Sequence, residues 1–123
     1  MDLNCKYDIE GFTADLGLPL AEIAALYSEL AGEFLSQIGN LRQLLIVEDW
    51  DAIKMIIHDM KGIAVNYRIT DVYEIAAIIN NRLKAGRITG ISPEFDKLFA
   101  LAEAAVVILK EYFAQKGFQL DNL

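Results

Sequence analysis

The stretch IKMIIHDMKGIAVNY, residues 53–67, decides the fold, because its apolar residues recur at steps of three and four. Such steps place side chains on one face of an α-helix, which turns by about 100° per residue. The stretch therefore predicts an amphipathic helix that packs against other helices. Its apolar stripe consists of Ile53, Ile56, Ile57, Met60, Ile63, Ala64 and Tyr67.

The same periodicity continues on both sides of this stretch. Apolar stripes run through residues 20–45, 72–83 and 95–113, and no segment alternates convincingly as a strand would. Four striped helices joined by short loops each need a partner for the apolar face. The sequence therefore predicts an all-α fold, an antiparallel four-helix bundle with up-down-up-down topology.

Helix ends are marked by residues that cap helices or stop them. Residues 8–16 predict a short extra N-terminal helix that Gly17 ends, and Asp49 is the predicted N-cap of the helix of residues 53–67. The other predicted signals are Pro19 in a first turn, Thr70 or Asp71 as an N-cap, an Asp71–Glu74 capping box, a Ser92 cap before Pro93 and Glu94, and Gly86 and Gly117 as stops.

Length, composition and net charge exclude several classes of protein. A length of 123 residues fits a single domain, residues 1–123, and a hydrophobic content of 54% argues against disorder. The net charge of -7 repels phosphate backbones and anionic lipid, so neither nucleic acid nor a membrane surface is an expected partner. No apolar run is long enough to span a bilayer.

The reactive residues are few. A single cysteine, Cys5, cannot form an internal disulfide, and the polar N-terminal residues are unlike a targeting segment, so a cytoplasmic location is expected. One histidine and one distant cysteine do not supply the ligands of a metal site. GRITG, residues 86–90, lacks the lysine and spacing of a phosphate-binding loop, so no kinase activity is expected.

The single histidine, His58, lies opposite the apolar stripe of its own helix. A lone surface histidine usually has no special role. Glycine within a helix, however, lowers helix stability by about 1 kcal/mol relative to alanine, so the presence of Gly62 requires an explanation. Met55 and Val65 make this face more apolar than water requires, which suggests docking. The residues within roughly 60° of His58 on the wheel are Asp51, Lys54, Met55, Lys61, Gly62 and Val65.

HDMKG, residues 58–62, resembles the His-x-x-Lys-Gly core of histidine phosphotransfer (HPt) domains of multistep phosphorelays. The resemblance covers roughly residues 8–86 in pattern. It implies a phosphorelay intermediate that accepts a phosphoryl group on His58 from a receiver-domain aspartyl phosphate and passes it to another receiver. The implied partners are response-regulator receiver domains or a hybrid sensor histidine kinase. The chain itself is expected to be a monomer without a cofactor, since Mg²⁺ is expected only on the receiver.

The resemblance also implies roles for single residues. His58 matches the phosphoacceptor, Lys61 the lysine that helps to hold the phosphoryl group, and Gly62 the glycine that leaves the imidazole accessible. Gly62 is thus a partner-docking position. The resemblance also matches Asn66, Asn80 and Lys84 to polar positions of the family, with Asn80 able to orient the ring. Lys54, Met55 and Val65, which share the His58 face on the wheel, are the other predicted partner-docking positions.

The sequence departs from the family pattern at three positions. Ile63 replaces a small residue but faces the core, and Arg68 stands where glycine is common. Asp59 is about 100° from His58 on the wheel and so is not required to face the phosphate. Two other interpretations stay open: a helical interaction module that binds a receiver or another signalling partner without accepting phosphate, and a bundle whose motif is incidental.

Overall fold

The computed structural model describes residues 5–120, and within that range the chain is α-helical without a strand. This confirms the predicted all-α class. None of the helices in this range is long and apolar enough to cross a membrane. The helices are α1 (Ile9–Leu16), α2 (Leu20–Val47), α3 (Trp50–Asn66), α4 (Thr70–Lys84) and α5 (Ser92–Gln115).

The four long helices contact one another in a closed cycle. Helix α3 packs against α2 and α4, and α5 packs against the same two helices. The stripe predicted for α3 faces this shared core, where Ile53, Ile57, Met60 and Ala64 are completely buried. Burial of such a stripe stabilises the fold, because each large apolar side chain contributes roughly 1.5–3 kcal/mol.

An aromatic cluster joins α1 to the long helices. Phe12 of α1 stacks on Tyr67 with ring centroids 5.2 Å apart, and Tyr27 of α2 meets both rings edge-on. Tyr27 also packs on Phe113 of α5, and its hydroxyl donates a hydrogen bond to the Tyr67 carbonyl at 2.9 Å. The cluster therefore fixes the end of α3, which carries the sequence motif.

Several predicted helix ends are confirmed. Asp49 is the N-cap of α3, and its carboxylate accepts a hydrogen bond from the backbone N–H of Ala52. Asp8, predicted as the first residue of α1, is instead its N-cap and accepts a hydrogen bond from the backbone N–H of Gly11. Gly17 caps α1 with a φ of 66°, and Gly86 follows α4 with a φ of 70°. Glycine adopts this left-handed conformation without the steric strain that a Cβ causes.

Three predicted positions at helix starts are displaced by one or two residues, while Pro93 and Glu94 lie in the first turn of α5 as predicted. Pro19 is the N-cap of α2 and not a first-turn residue, while Ile69 and Ile91 occupy the cap positions of α4 and α5, so Ser92 begins its helix. Both isoleucines are buried in the core, so packing sets these starts and no side-chain cap forms. At α4 and α5, burial of the preceding isoleucine therefore determines where the helix begins, and the local capping residues do not.

The predicted Asp71–Glu74 capping box is also absent. The Asp71 carboxylate accepts a hydrogen bond from the Tyr7 hydroxyl at 3.0 Å and lies 2.6 Å from the Lys6 ammonium. Burial, reinforced by the Asp71 charge, raises the pKa of Tyr7. The carboxylate therefore binds the N-terminal segment to α4, a long-range role that local spacing does not reveal.

Candidate functional site

His58 lies in the middle of α3 with its side chain exposed, opposite the buried stripe. This confirms the exposure predicted from the helical wheel. The ring borders an open hollow of about 380 Å³ between α3 and α4, which we call the His58 depression. Its lining residues are Lys54, Met55, His58 and Asp59 from α3 and Asn80 and Lys84 from α4.

Helical spacing explains how these side chains come to one place. Lys54 and His58 are four residues apart on α3, and Asn80 and Lys84 are four residues apart on α4. Residues at this spacing lie on the same helix face, one turn apart. Because α3 packs against α4, the two rows border one depression.

Asn80 is the buried member of the lining, with only 4% of its surface exposed. Within residues 5–120 its Nδ2 has no hydrogen-bond partner. A buried donor without an acceptor costs about 1–3 kcal/mol. The site therefore holds a polar group that packing alone does not account for.

The electrostatics of the depression differ from those of the whole chain. Lys54 and Lys84 are exposed, and neither forms an ion pair with another residue of the described range. The lining carries two lysines against the single carboxylate of Asp59. The lining is thus net positive in a chain whose net charge is -7.

Gly62 lies one turn beyond His58 on α3, and a Cβ added there would meet no heavy atom within 4 Å. The glycine is therefore not required by close packing inside the protein. Met55 and Val65, on the same face, expose 70% and 50% of their surfaces. This part of α3 combines free space with apolar surface, which suits an approaching macromolecule.

Two of the predicted polar site residues are not part of the lining. Lys61, one turn from His58 on the same helix face, is half-buried, and Asn66 is the last residue of α3, about 12 Å from His58 along the helix axis. Asp59, which the wheel did not require to face the phosphate, lines the depression. Neighbours on a helix can border the same hollow when it is broad and open, which the wheel alone does not indicate.

The other groups that could carry chemistry are less suited to it. Burial raises the pKa of the Cys5 thiol, which keeps the sulfur protonated and a poor nucleophile. Among residues 5–120, no group of three or more histidine, cysteine, aspartate or glutamate side chains could hold a metal ion. His58 is the remaining candidate nucleophile that is both exposed and set in a depression.

Comparison of the chain with protein families, with curated proteins and with solved structures finds no match. The site itself is therefore the basis for a functional assignment. It presents an exposed imidazole, together with two lysines and a buried amide donor that have no partner within residues 5–120. Such an arrangement can attack an electrophilic centre and stabilise negative charge beside the ring.

Proposed function

We propose that this chain is a phosphohistidine carrier of the histidine phosphotransfer class. His58 accepts a phosphoryl group from the aspartyl phosphate of a receiver domain and passes it to another receiver. The observation that carries the proposal is the exposed position of His58 in a net positive depression, with open space over Gly62 on the same helix face.

The reaction is a displacement at phosphorus. The lone pair of the neutral imidazole nitrogen attacks, an N–P bond forms, and the bond from phosphorus to the aspartyl oxygen breaks to release the carboxylate. The reverse step returns the group to a second receiver. Phosphoryl transfer of this kind depends mainly on positioning and charge stabilisation. The receiver would supply Mg²⁺, and this chain supplies an accessible nucleophile and nearby cations.

The arrangement that we propose for the helices is an antiparallel, up-down-up-down four-helix bundle with α1 as an addition. The closed cycle of helix contacts supports it. The lining of the His58 depression supports it as well, because Lys54 near the start of α3 faces the same hollow as Lys84 at the end of α4. Antiparallel neighbours are also expected from the short connections at residues 48–49 and 67–69.

One observation favours a second function, a module that binds a signalling partner without accepting phosphate. Met55 and Val65 expose 70% and 50% of their surfaces around the motif. Exposed apolar surface of this kind can serve docking alone. The two functions share the surface and differ only in whether an N–P bond forms on His58.

The test is incubation with a panel of receiver domains charged by acetyl phosphate. Transfer predicts acid-labile, base-stable phosphate on the wild-type chain and none on His58→Gln. Stable complexes without phosphate on either form would support the binding module. If the chain neither binds a charged receiver nor accepts phosphate, both functions are wrong and the motif is incidental.

A further inference from the structure

We propose that the His58 depression is an oxyanion site in which Lys54 and Lys84, rather than Lys61, neutralise the bound charge. The inference deepens the proposed function, because the oxyanion is the phosphoryl group that His58 carries. The same cations would also bind inorganic phosphate when His58 is unmodified. This second property does not depend on any transfer reaction.

Within residues 5–120, Lys54 and Lys84 form no ion pair although the chain is acidic. Aspartate and glutamate number 18 and lysine and arginine 11, so carboxylates are abundant. Of the arginines, Arg42, Arg68 and Arg82 form ion pairs with acidic side chains, and the exposed Arg87 forms none within the same range. Lys54 and Lys84 border one hollow and have no such partner within residues 5–120, which leaves their charges available to a ligand.

The two lysines occupy different positions on their helices. Lys84 is the last residue of α4, where a cation is favoured by the helix dipole without any ligand. Lys54 is in the second turn of α3, where the dipole gives a cation no advantage. The position of Lys54 is therefore explained better by the depression than by the helix.

Asn80 lines the same hollow and has an unused hydrogen-bond donor. Within the described range its Nδ2 has no hydrogen-bond partner, and only 4% of the residue is exposed. An oxyanion there would give the donor an acceptor and add a neutral hydrogen bond to the two charges.

Asp59 acts against binding, because its carboxylate lines the same depression. It repels an oxyanion and keeps the affinity of the unmodified site low, which suits a carrier that must release its phosphoryl group. Removal of this one negative charge should therefore strengthen anion binding. Lys61, in contrast, is half-buried outside the lining, so its removal should change binding little.

The experiment is a titration of the full chain with inorganic phosphate, followed by NMR of the His58 ring and the Asn80 amide. We expect both signals to shift, and each of Lys54→Gln and Lys84→Gln to weaken binding by about three- to tenfold. Asp59→Asn should tighten it. Lys61→Gln and the control Lys97→Gln, at an exposed position of α5, should change affinity less than twofold, about the limit for a screened surface charge.

The inference is overturned if phosphate leaves both signals unchanged, or if Lys61→Gln weakens binding more than either lysine variant of the depression. A second measurement is the lifetime of phosphohistidine formed from a charged receiver, which Lys54→Gln and Lys84→Gln should shorten. Phosphate binding without any transfer would refute the proposed function alone. If Lys54→Gln and Lys84→Gln still accept phosphate, and neither the phosphohistidine lifetime nor the affinity for inorganic phosphate changes, the inference alone is refuted.

Discussion

Two basic regions at the same end of α4 use their charge differently. Arg82 donates hydrogen bonds to the carbonyls of Arg87 and Gly90 at 3.2 and 3.4 Å, and its Nη1 lies 3.2 Å from the Glu94 carboxylate. Lys84, two residues later, has no ion-pair partner within residues 5–120 and borders the His58 depression. Arg82 therefore stabilises the loop between α4 and α5, while Lys84 is available to an external anion.

The difference separates structural from functional charge. A planar guanidinium can bind several carbonyls in fixed directions, which suits a loop, whereas a flexible ammonium is a point charge that can follow a ligand. Arg68 belongs with Arg82: it holds a left-handed φ of 63° and pairs with Asp8 and Asp15 of α1. Arg68 and Arg82 close contacts within the fold, whereas Lys54 and Lys84 form no ion pair within residues 5–120.

The largest effect should come from His58→Gln. Phosphate uptake should be abolished, because the nucleophile is lost, while the melting temperature stays nearly unchanged since an exposed side chain contributes little packing. Receiver-dependent labelling and thermal unfolding on one preparation measure both. Phosphate that persists in this variant would show that another residue is the phosphoacceptor and that the His58 depression is not the transfer site.

Gly62→Glu should reduce transfer steeply without a loss of stability. A Cβ at this position meets no heavy atom within 4 Å, and the longer side chain adds bulk and negative charge where a receiver would approach. Helix propensity favours glutamate over glycine by about 0.5–0.8 kcal/mol, so the melting temperature should hold or rise. Gly62→Ala is the matched control, expected to gain stability and to impair transfer less. Transfer at the wild-type rate in Gly62→Glu would show that the glycine is not needed for a receiver to reach His58.

Arg82→Met should destabilise the fold by about 1.5–3 kcal/mol, the range for hydrogen bonds made by a charged group. The loop carbonyls lose their donor and Glu94 loses its counter-charge. Transfer per folded molecule should be unaffected. Urea unfolding measures the effect, with Arg87→Met at an exposed position as the control. Equal stability of the two variants would show that Arg82 is not a structural charge.

The smallest effect is expected on the stability of Lys54→Gln and Lys84→Gln. Each should change the free energy of unfolding by less than about 0.5 kcal/mol, as for surface substitutions that break no contact. Urea unfolding beside Arg82→Met gives the comparison directly. A loss as large as that of the arginine variant would mean that these lysines, like Arg82, stabilise the fold through structural partners.

The local pattern was sufficient for the helices and for the exposure of His58. Apolar steps of three and four predicted all four long helices, Asp49 gave a correct N-cap and Gly17 a correct helix end. These features depend on residues within a few positions of one another, so a single sequence contains them. The wheel likewise placed His58 opposite the stripe, because its own helix defines that direction.

The sequence by itself determined that the chain is helical and that its histidine faces outward. Only the tertiary structure decided what surrounds that histidine. The approach of α4 to α3 brought Asn80 and Lys84 to Lys54 and His58, where the resemblance could only suggest proximity. The tertiary structure also places the Asp71 carboxylate against Tyr7 and Lys6, where the sequence had predicted a helix cap. The physical reason is that such contacts are made by residues far apart in the chain, and their energies depend on the packing of the helices.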